Sequence, residues 1–304
     1  MVLLFGGTGL IGWRVARALV AHGVSVAIAG RKPPTEPLPE GRVQWLRCDI
    51  QHLGDVQNVF RIARPDKVVH LAAALQFACD EAPFLAARVN IGGTHNVLDT
   101  ARNAGVERVV FGSSVAAYGA RSDIMREDDP PAPSSTSLYG AAKWFEERLG
   151  IQYATRYGIG FVALRYSAVF GSGGSDSQGM AHVRRRIAES RNGHDVSIPE
   201  ASGEERAQLT YVSDAADMTL CALEATAPQH FVYNAAGPRE NYLSLYEYAD
   251  LVRQLFPRSG HVTFCGRARS LGPVDTERIQ TDLRYVPRVG VRDGLSSMFA
   301  EELT

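Results

Sequence analysis

Short apolar runs alternate with stretches of helical periodicity through the first half of the chain. "MVLLF" reads as a strand, and the apolar positions that follow through Ala21 recur at helical spacing. "VSVAIAG" predicts a second strand, followed by the proline-rich loop "KPPTEPLPEG". "VQWLRCDI" predicts a third strand, "VQNVFRIA" a helix and "KVVHLAA" a fourth strand. A long helix is expected over residues 83–104, a strand at "RVVFGSS", a helix over 138–156 and a sixth strand at "GFVALRY". Strands of four to eight residues separated by helices imply parallel βαβ units in a doubly wound α/β sheet.

After Phe170 the rhythm breaks. "GSGGSDSQG" reads as a flexible loop, and the segments beyond it lack clean alternation. The expected organisation is a Rossmann-type domain over residues 1–170, with 207–236 returning to its sheet. A smaller, discontinuous substrate lobe is expected from 171–206 and 237–304. No internal repeat or low-complexity tract interrupts this plan.

Composition narrows the partners. The chain has 304 residues, 45% hydrophobic and 21% charged, with a formal net charge of -1. That balance gives no electrostatic reason to expect nucleic acid or an anionic membrane, so small molecules are the expected partners. Four scattered cysteines (Cys48, Cys79, Cys221 and Cys265) suit free thiols in a reducing compartment better than a disulfide framework. The eight histidines show no metal-binding spacing, so no metal is expected. "VLLFGG" already reads as a strand entering a turn, and no apolar run reaches membrane-span length. A soluble, cytoplasmic protein is the expectation.

The first turn carries the clearest chemistry. "FGGTGLIG" spaces Gly6, Gly9 and Gly12 between a strand and a helix. Glycine is needed there for a sharp turn, close approach to a pyrophosphate and close packing of helix on strand. The residues opening the helix, Leu10, Ile11 and Gly12, would offer unpaired N–H groups to the phosphates. A dinucleotide is therefore expected. At the end of the second strand an NAD site usually carries an acid for the ribose hydroxyls, whereas this chain has Arg31 and Lys32. A guanidinium can fork onto a 2′-phosphate, which points to NADP; a solvated loop cation is the alternative. Asp49 and Ile50 close the third strand where adenine would lie, Asp49 serving either the adenine amine or a turn cap. Leu71, Ala72 and Ala73 end the fourth strand, where small side chains would let backbone approach a cofactor.

"LYGAAKW" places Tyr139 four residues before Lys143, on one helix face. Together with "GGTGLIG", "CDI", "VVHLAA", "VNIGGTHN", "FGSSVAAYG", "LRYSAVFG", "TYVSDAA" and "YNAAGP" in this order, the chain resembles the extended short-chain dehydrogenase/reductase family. That family includes NAD-dependent epimerases and dehydratases of sugar nucleotides. The resemblance implies Tyr139 as catalytic acid/base, Lys143 as its partner and Ser114, with Ser113 as alternative, as the hydrogen-bonding partner of the substrate oxygen. A nearby ammonium favours a phenolate, which otherwise forms only near pH 10. Tyr139 and Lys143 would also contact the nicotinamide ribose. Asn90 fits the family's helix motif, in a hydration role or as a satisfied buried amide, and His70 reads as a core histidine.

Departures bear on substrate. Where sugar-nucleotide enzymes carry a diphosphate-holding Asn, this chain has Ala168; their arginine before "V-x-D" falls at Ala207, with Arg206 one position away. Arg184, Arg185 and Arg186 read as a solvated helix face or as partners of an anionic substrate. Val115 and Ala116 stand where 4,6-dehydratases carry Asp-Glu, which argues against dehydration. The expected activity interconverts a secondary alcohol and a ketone; the alternative is nucleotide-sugar epimerisation on a retained cofactor. The resemblance also implies a homodimer through the helices at 83–104 and 138–156, with Phe84, Leu85, Trp144 and Phe145 on that surface.

Overall fold

The computed structural model describes residues 1–132, 136–173, 180–266 and 271–301. Residues 174–179, most of the expected loop after Phe170, lie outside the described residues. The first half runs β1 (Val2–Phe5), α1 (Leu10–Ala21), β2 (Val26–Gly30), β3 (Val43–Arg47), α2 (Leu53–Ala63) and β4 (Lys67–His70). It continues through α3 (Gln76–Glu81), α4 (Gly93–Asn103), β5 (Arg108–Ser114), α5 (Leu138–Tyr157) and β6 (Gly160–Tyr166). Then follow β7 (Ala168–Phe170), α6 (Met180–Glu189), β8 (Val196–Ile198), β9 (Arg206–Tyr211), α7 (Val212–Glu224) and β10 (Val232–Ala235). The chain closes with β11 (Tyr242–Ser244), α8 (Leu245–Leu255), β12 (Val262–Phe264), α9 (Glu277–Asp282) and α10 (Val291–Glu301).

Seven strands form one parallel sheet in the order β10-β6-β5-β4-β1-β2-β3. The order of strand addition reverses between β1 and β4, where Phe5 pairs in register with His70. The crevice outside the carboxyl ends of these two strands is where open α/β sheets bind ligands. The sheet's period of two sorts β1 cleanly. Val2 and Leu4 pack with Trp13, Val15 and Leu19 of α1 and Ala215 and Met218 of α7. Leu3 and Phe5 face the other way, onto Val56, Val59 and Phe60 of α2 and Val97 and Leu98 of α4. Burial on both faces explains why the strands read as unbroken apolar runs.

The long helix expected over 83–104 is divided. A π-helical turn spans Ala86–Gly92, and regular α-helix begins at Gly93. The wider turn projects Asn90 inward, and such insertions concentrate at functional sites. Helix α3 precedes it, too short for periodicity to reveal.

Within residues 207–236, α7 packs on the large core and β10 pairs with β6, whereas β9 lies in a separate sheet of order β11-β9-β7. Strands β8 and β12 form a two-stranded sheet. A third core, including Val183, Ile187, Leu209, Tyr211, Tyr248 and Leu295, binds α6, α8 and α10 to these small sheets. Ile279, Leu283 and Tyr285, far along the chain, pack in the core against α1 and α7.

Candidate active site

Gly6 leaves β1 at φ +78°, in the region that favours glycine. A Cβ there would stand 2.7 Å from the backbone N of Ala72, so the turn can sit against the end of β4 only without a side chain. Gly12 is equally constrained, because its Cβ would meet the Gly6 carbonyl oxygen at 2.4 Å. Gly9 caps α1 in extended conformation with no side-chain hydrogen bond to the helix start. The first-turn N–H groups, those of Leu10, Ile11 and Gly12, thus remain available at the positive end of a twelve-residue helix. Leu71, Ala72 and Ala73 line up beside this turn, half-buried. The turn's bare backbone and uncapped helix suit a dinucleotide pyrophosphate.

The other expected cofactor contacts are placed less uniformly. Arg31 and Lys32 are exposed just beyond β2. Asp49 accepts from the backbone N–H and side chain of Gln51, the turn-capping arrangement. Ile50 is buried and packs into the space left by Gly93. Asn90 is fully buried, its Oδ1 accepting from the Ala74 N–H at 2.7 Å and its Nδ2 donating to the Ala74 carbonyl at 3.0 Å. Both amide ends are thereby used on one residue, which fixes the backbone leaving β4.

Ser114 ends β5, where its Oγ accepts from the Ala116 N–H at 3.1 Å, and it lines the same cavity as Tyr139. What brings α5 this near is Gly140. A Cβ on it would lie 2.1 Å from the Ala116 carbonyl oxygen, so only glycine allows this contact. Ser137 caps the helix, accepting from the Gly140 N–H at 3.1 Å. Farther along, Gly150 lets the same helix rest on the Phe161 ring. Ser113, the alternative to Ser114, is committed elsewhere: it donates to Glu147, which Arg165 holds by two bonds of 2.8 and 2.7 Å.

Lys143 is buried, its Nζ 4.5 Å from the Phe111 ring centroid and 5.8 Å from that of Tyr139. Burial raises the Tyr139 pKa above the ordinary phenol value; Lys143 pulls it down, Glu146 pushes it up, and the polar Ser114 side chain pulls it down. Glu146, fully buried, forms an ion pair with Lys143 at 3.4 Å and accepts from Thr94 Oγ1 at 2.6 Å. Thr94 Oγ1 lies 3.0 Å from His70 Nε2. His70 is completely buried, as expected of a core histidine, and burial brings its pKa down to about 3. Periodicity gave no sign of Glu146 or Thr94 as site residues, although Glu146 stands one helical turn from Lys143.

Ser114 and Tyr139 line a partly open cavity of about 150 Å³. Its far wall includes Ala168, Arg184, Arg206, Ala207 and Tyr248. Here the solvated-face reading of the arginine run needs correction. Arg185 is exposed and Arg186 pairs with Glu200 at 3.2 Å, but Arg184 is 3% exposed and turns into the cavity wall. Its Nε has no hydrogen-bond partner among the described residues, and burial lowers its pKa to about 10. Arg206 also lines the cavity and pairs with Glu247 at 3.0 Å.

The sequence pattern of the NAD dependent epimerase/dehydratase family matches residues 2–236. A UDP-glucose 4-epimerase of Lacticaseibacillus casei is 28% identical over 242 residues, covering 73% of this chain and 71% of its own. The UDP-glucose 4-epimerase of Thermus thermophilus, solved in complex with NAD, superposes with a TM-score of 0.86 at 27% identity, covering 98% of both chains. MoeE5, solved with UDP-glucuronic acid and NAD, gives 0.86 at 26% identity, over 99% of this chain and 98% of its own.

Proposed function

The chain belongs to the NAD dependent epimerase/dehydratase family, and from that premise we propose that it epimerises a nucleotide sugar. It is an enzyme of the extended short-chain dehydrogenase type, whose relatives act with NAD. The observation that carries the nucleotide-sugar reading is the shared cavity, which joins Ser114 and Tyr139 to the buried Arg184. Ala168 and Ala207 cannot bond a diphosphate through their side chains, whereas a buried guanidinium can fork onto phosphate oxygens. The family arginine lost at 207 is thus replaced from α6.

In the proposed reaction Ser114 holds the sugar hydroxyl against Tyr139, which accepts its proton as the alcohol becomes a ketone. Lys143 stabilises the phenolate. Tyr139 returns the proton when the ketone is reduced on its opposite face. Gly6, Gly9 and the start of α1 would hold the dinucleotide, which when bound would supply hydride acceptance and return at the sugar carbon. Positioning and acid–base transfer are what this chain itself contributes.

Residues 171–206 and 237–304 are proposed as the principal substrate-binding lobe, since Arg184, Arg206, Tyr248 and Leu271 line the cavity from its side or rim. NADP is proposed as the preferred dinucleotide on the strength of Arg31, which replaces the acid that would repel a 2′-phosphate. Asp49, Ile50, Leu71, Ala72, Ala73 and Asn90 are proposed to bound the cofactor site. A homodimer through the segment 83–104 and α5 is proposed from exposed Phe84 and Phe145. Purified protein incubated with UDP-glucose and other UDP-hexoses tests the function by chromatographic separation of epimers. Epimer formation supports it; a panel converted only to ketones, with equivalent cofactor reduction, would establish the net oxidoreductase reading instead.

A further inference from the structure

Glu146 does not belong to the Ser/Tyr/Lys set, yet it is the carboxylate paired with Lys143. Among the described residues, its surroundings provide no second cation. Thr94 Oγ1 gives its one proton to Glu146, so it must accept from His70 Nε2–H. That fixes the histidine tautomer and leaves Nδ1 without a proton; Nδ1 indeed has no hydrogen-bond partner among the described residues. Neutral His70 therefore adds no positive charge beneath Glu146, in keeping with its lowered pKa.

The other facing groups do not alter this balance. From α3, Cys79 is buried with a raised thiol pKa, feeling Asp80, Lys143 and Glu146. From β5, Phe111 presents only its ring to Lys143. On α5 itself, Glu147 is directed to Arg165 and Ser113, while Tyr139 lines the cavity. The Lys143 ammonium is thus divided between a buried carboxylate and the phenol.

We propose that Glu146 is a positioning residue that acts through Lys143, partly neutralising the ammonium and so setting the proton affinity of the Tyr139 hydroxyl. In a low-dielectric setting the pair is screened little, and its charge is felt at the neighbouring phenol. Glu146 holds Tyr139 as a stronger base, slower to ionise. An acid/base that must both take and return a proton gains from such balance, since full exposure to an unpaired ammonium would leave a weakly basic phenolate. The inference rests on the proposed role of Tyr139 and Lys143.

The test is a Glu146→Gln variant, which keeps the size of the side chain and its carbonyl acceptor for Thr94. In single-turnover oxidation of UDP-glucose by cofactor-loaded protein, the rate should rise with pH as Tyr139 ionises. Removing the carboxylate should move that limb to lower pH by about one unit. An unmoved limb, or one moved to higher pH, overturns the proposal even if the variant is less stable. Tyrosinate absorbance, taken as the difference between Tyr139 protein and a Tyr139→Phe variant, reads the same shift without turnover. That titration separates failure of the inference from failure of the proposed reaction. If Glu146→Gln does not fold, the titration is read in Glu146→Asp, whose shorter side chain draws the charge away from Lys143 and should move it in the same direction. A shift in the titration supports the role of Glu146; its absence in the folded variant refutes it.

Discussion

At the scale of single residues, the site is defined by who is already bonded to whom. Ser113 and Ser114 are adjacent and chemically equivalent, and sequence alone leaves both open. Their alternation on β5 separates them: Ser113 is turned to the buried Glu147–Arg165 pair, Ser114 to Tyr139. Replacing Tyr139 by Phe should lower turnover roughly a hundred- to ten-thousand-fold while leaving dinucleotide affinity within a few-fold, measured by kinetics and calorimetry. Arg31 is the corresponding test of cofactor choice. An Arg31→Glu variant should lose NADP affinity by roughly ten- to a hundredfold, the range of a charge-assisted hydrogen bond, with NAD affinity kept. His70 gives a prediction with a defined sign. Its pKa is about 3 in the fold against 6.5 in a free chain, so the unfolded state binds the proton first. Stability should fall as pH drops through that window, by up to about 1.4 kcal/mol per unit, and a His70→Phe variant should lack this component in urea denaturation.

At the scale of elements, α5 explains both what was legible and what was not. Its extent was readable from "SLYGAAKW" onward, but its buried face carries Gly140, Lys143, Glu146, Glu147 and Gly150. An apolar-stripe argument cannot find a face made of glycines and paired charges. The signal lay in spacing, since positions 140, 143, 146, 147 and 150 follow the helical repeat. The same physics hid Arg184, whose burial depends on packing of α6 against the small sheets and α8. The division at Ala86–Gly92 was likewise invisible, because a π turn leaves composition unchanged. Gly140→Ala is the sharpest probe of α5 placement: the added methyl cannot fit beside the Ala116 carbonyl without moving the helix start. Turnover should fall by on the order of a hundredfold, as expected when reacting groups are misplaced by about an ångström, with a smaller loss in cofactor affinity.

At the scale of the whole molecule, the doubly wound sheet was legible because its strands are buried on both faces and its crossover helices are regular. The second half was less so, since its cores are assembled from segments distant in sequence. Ile279, Leu283 and Tyr285 join the core of α1 and α7, and β9 leaves the large sheet for a small one. Phe84 is 59% exposed and Phe145 45%, on the two segments proposed to meet a second copy. Sedimentation should show a dimer, and a Phe84→Glu/Phe145→Glu variant should show monomers of unchanged helicity.

In the proposed reaction one carbon is oxidised and reduced again within a single cavity by Ser114, Tyr139 and Lys143. UDP-glucose deuterated at C4 tests it most directly, with the product examined by NMR. The expected product is the C4 epimer with deuterium retained at C4, formed with no accumulation of reduced cofactor. Deuterium lost to water, or accumulated in released cofactor beside a ketone, would contradict it.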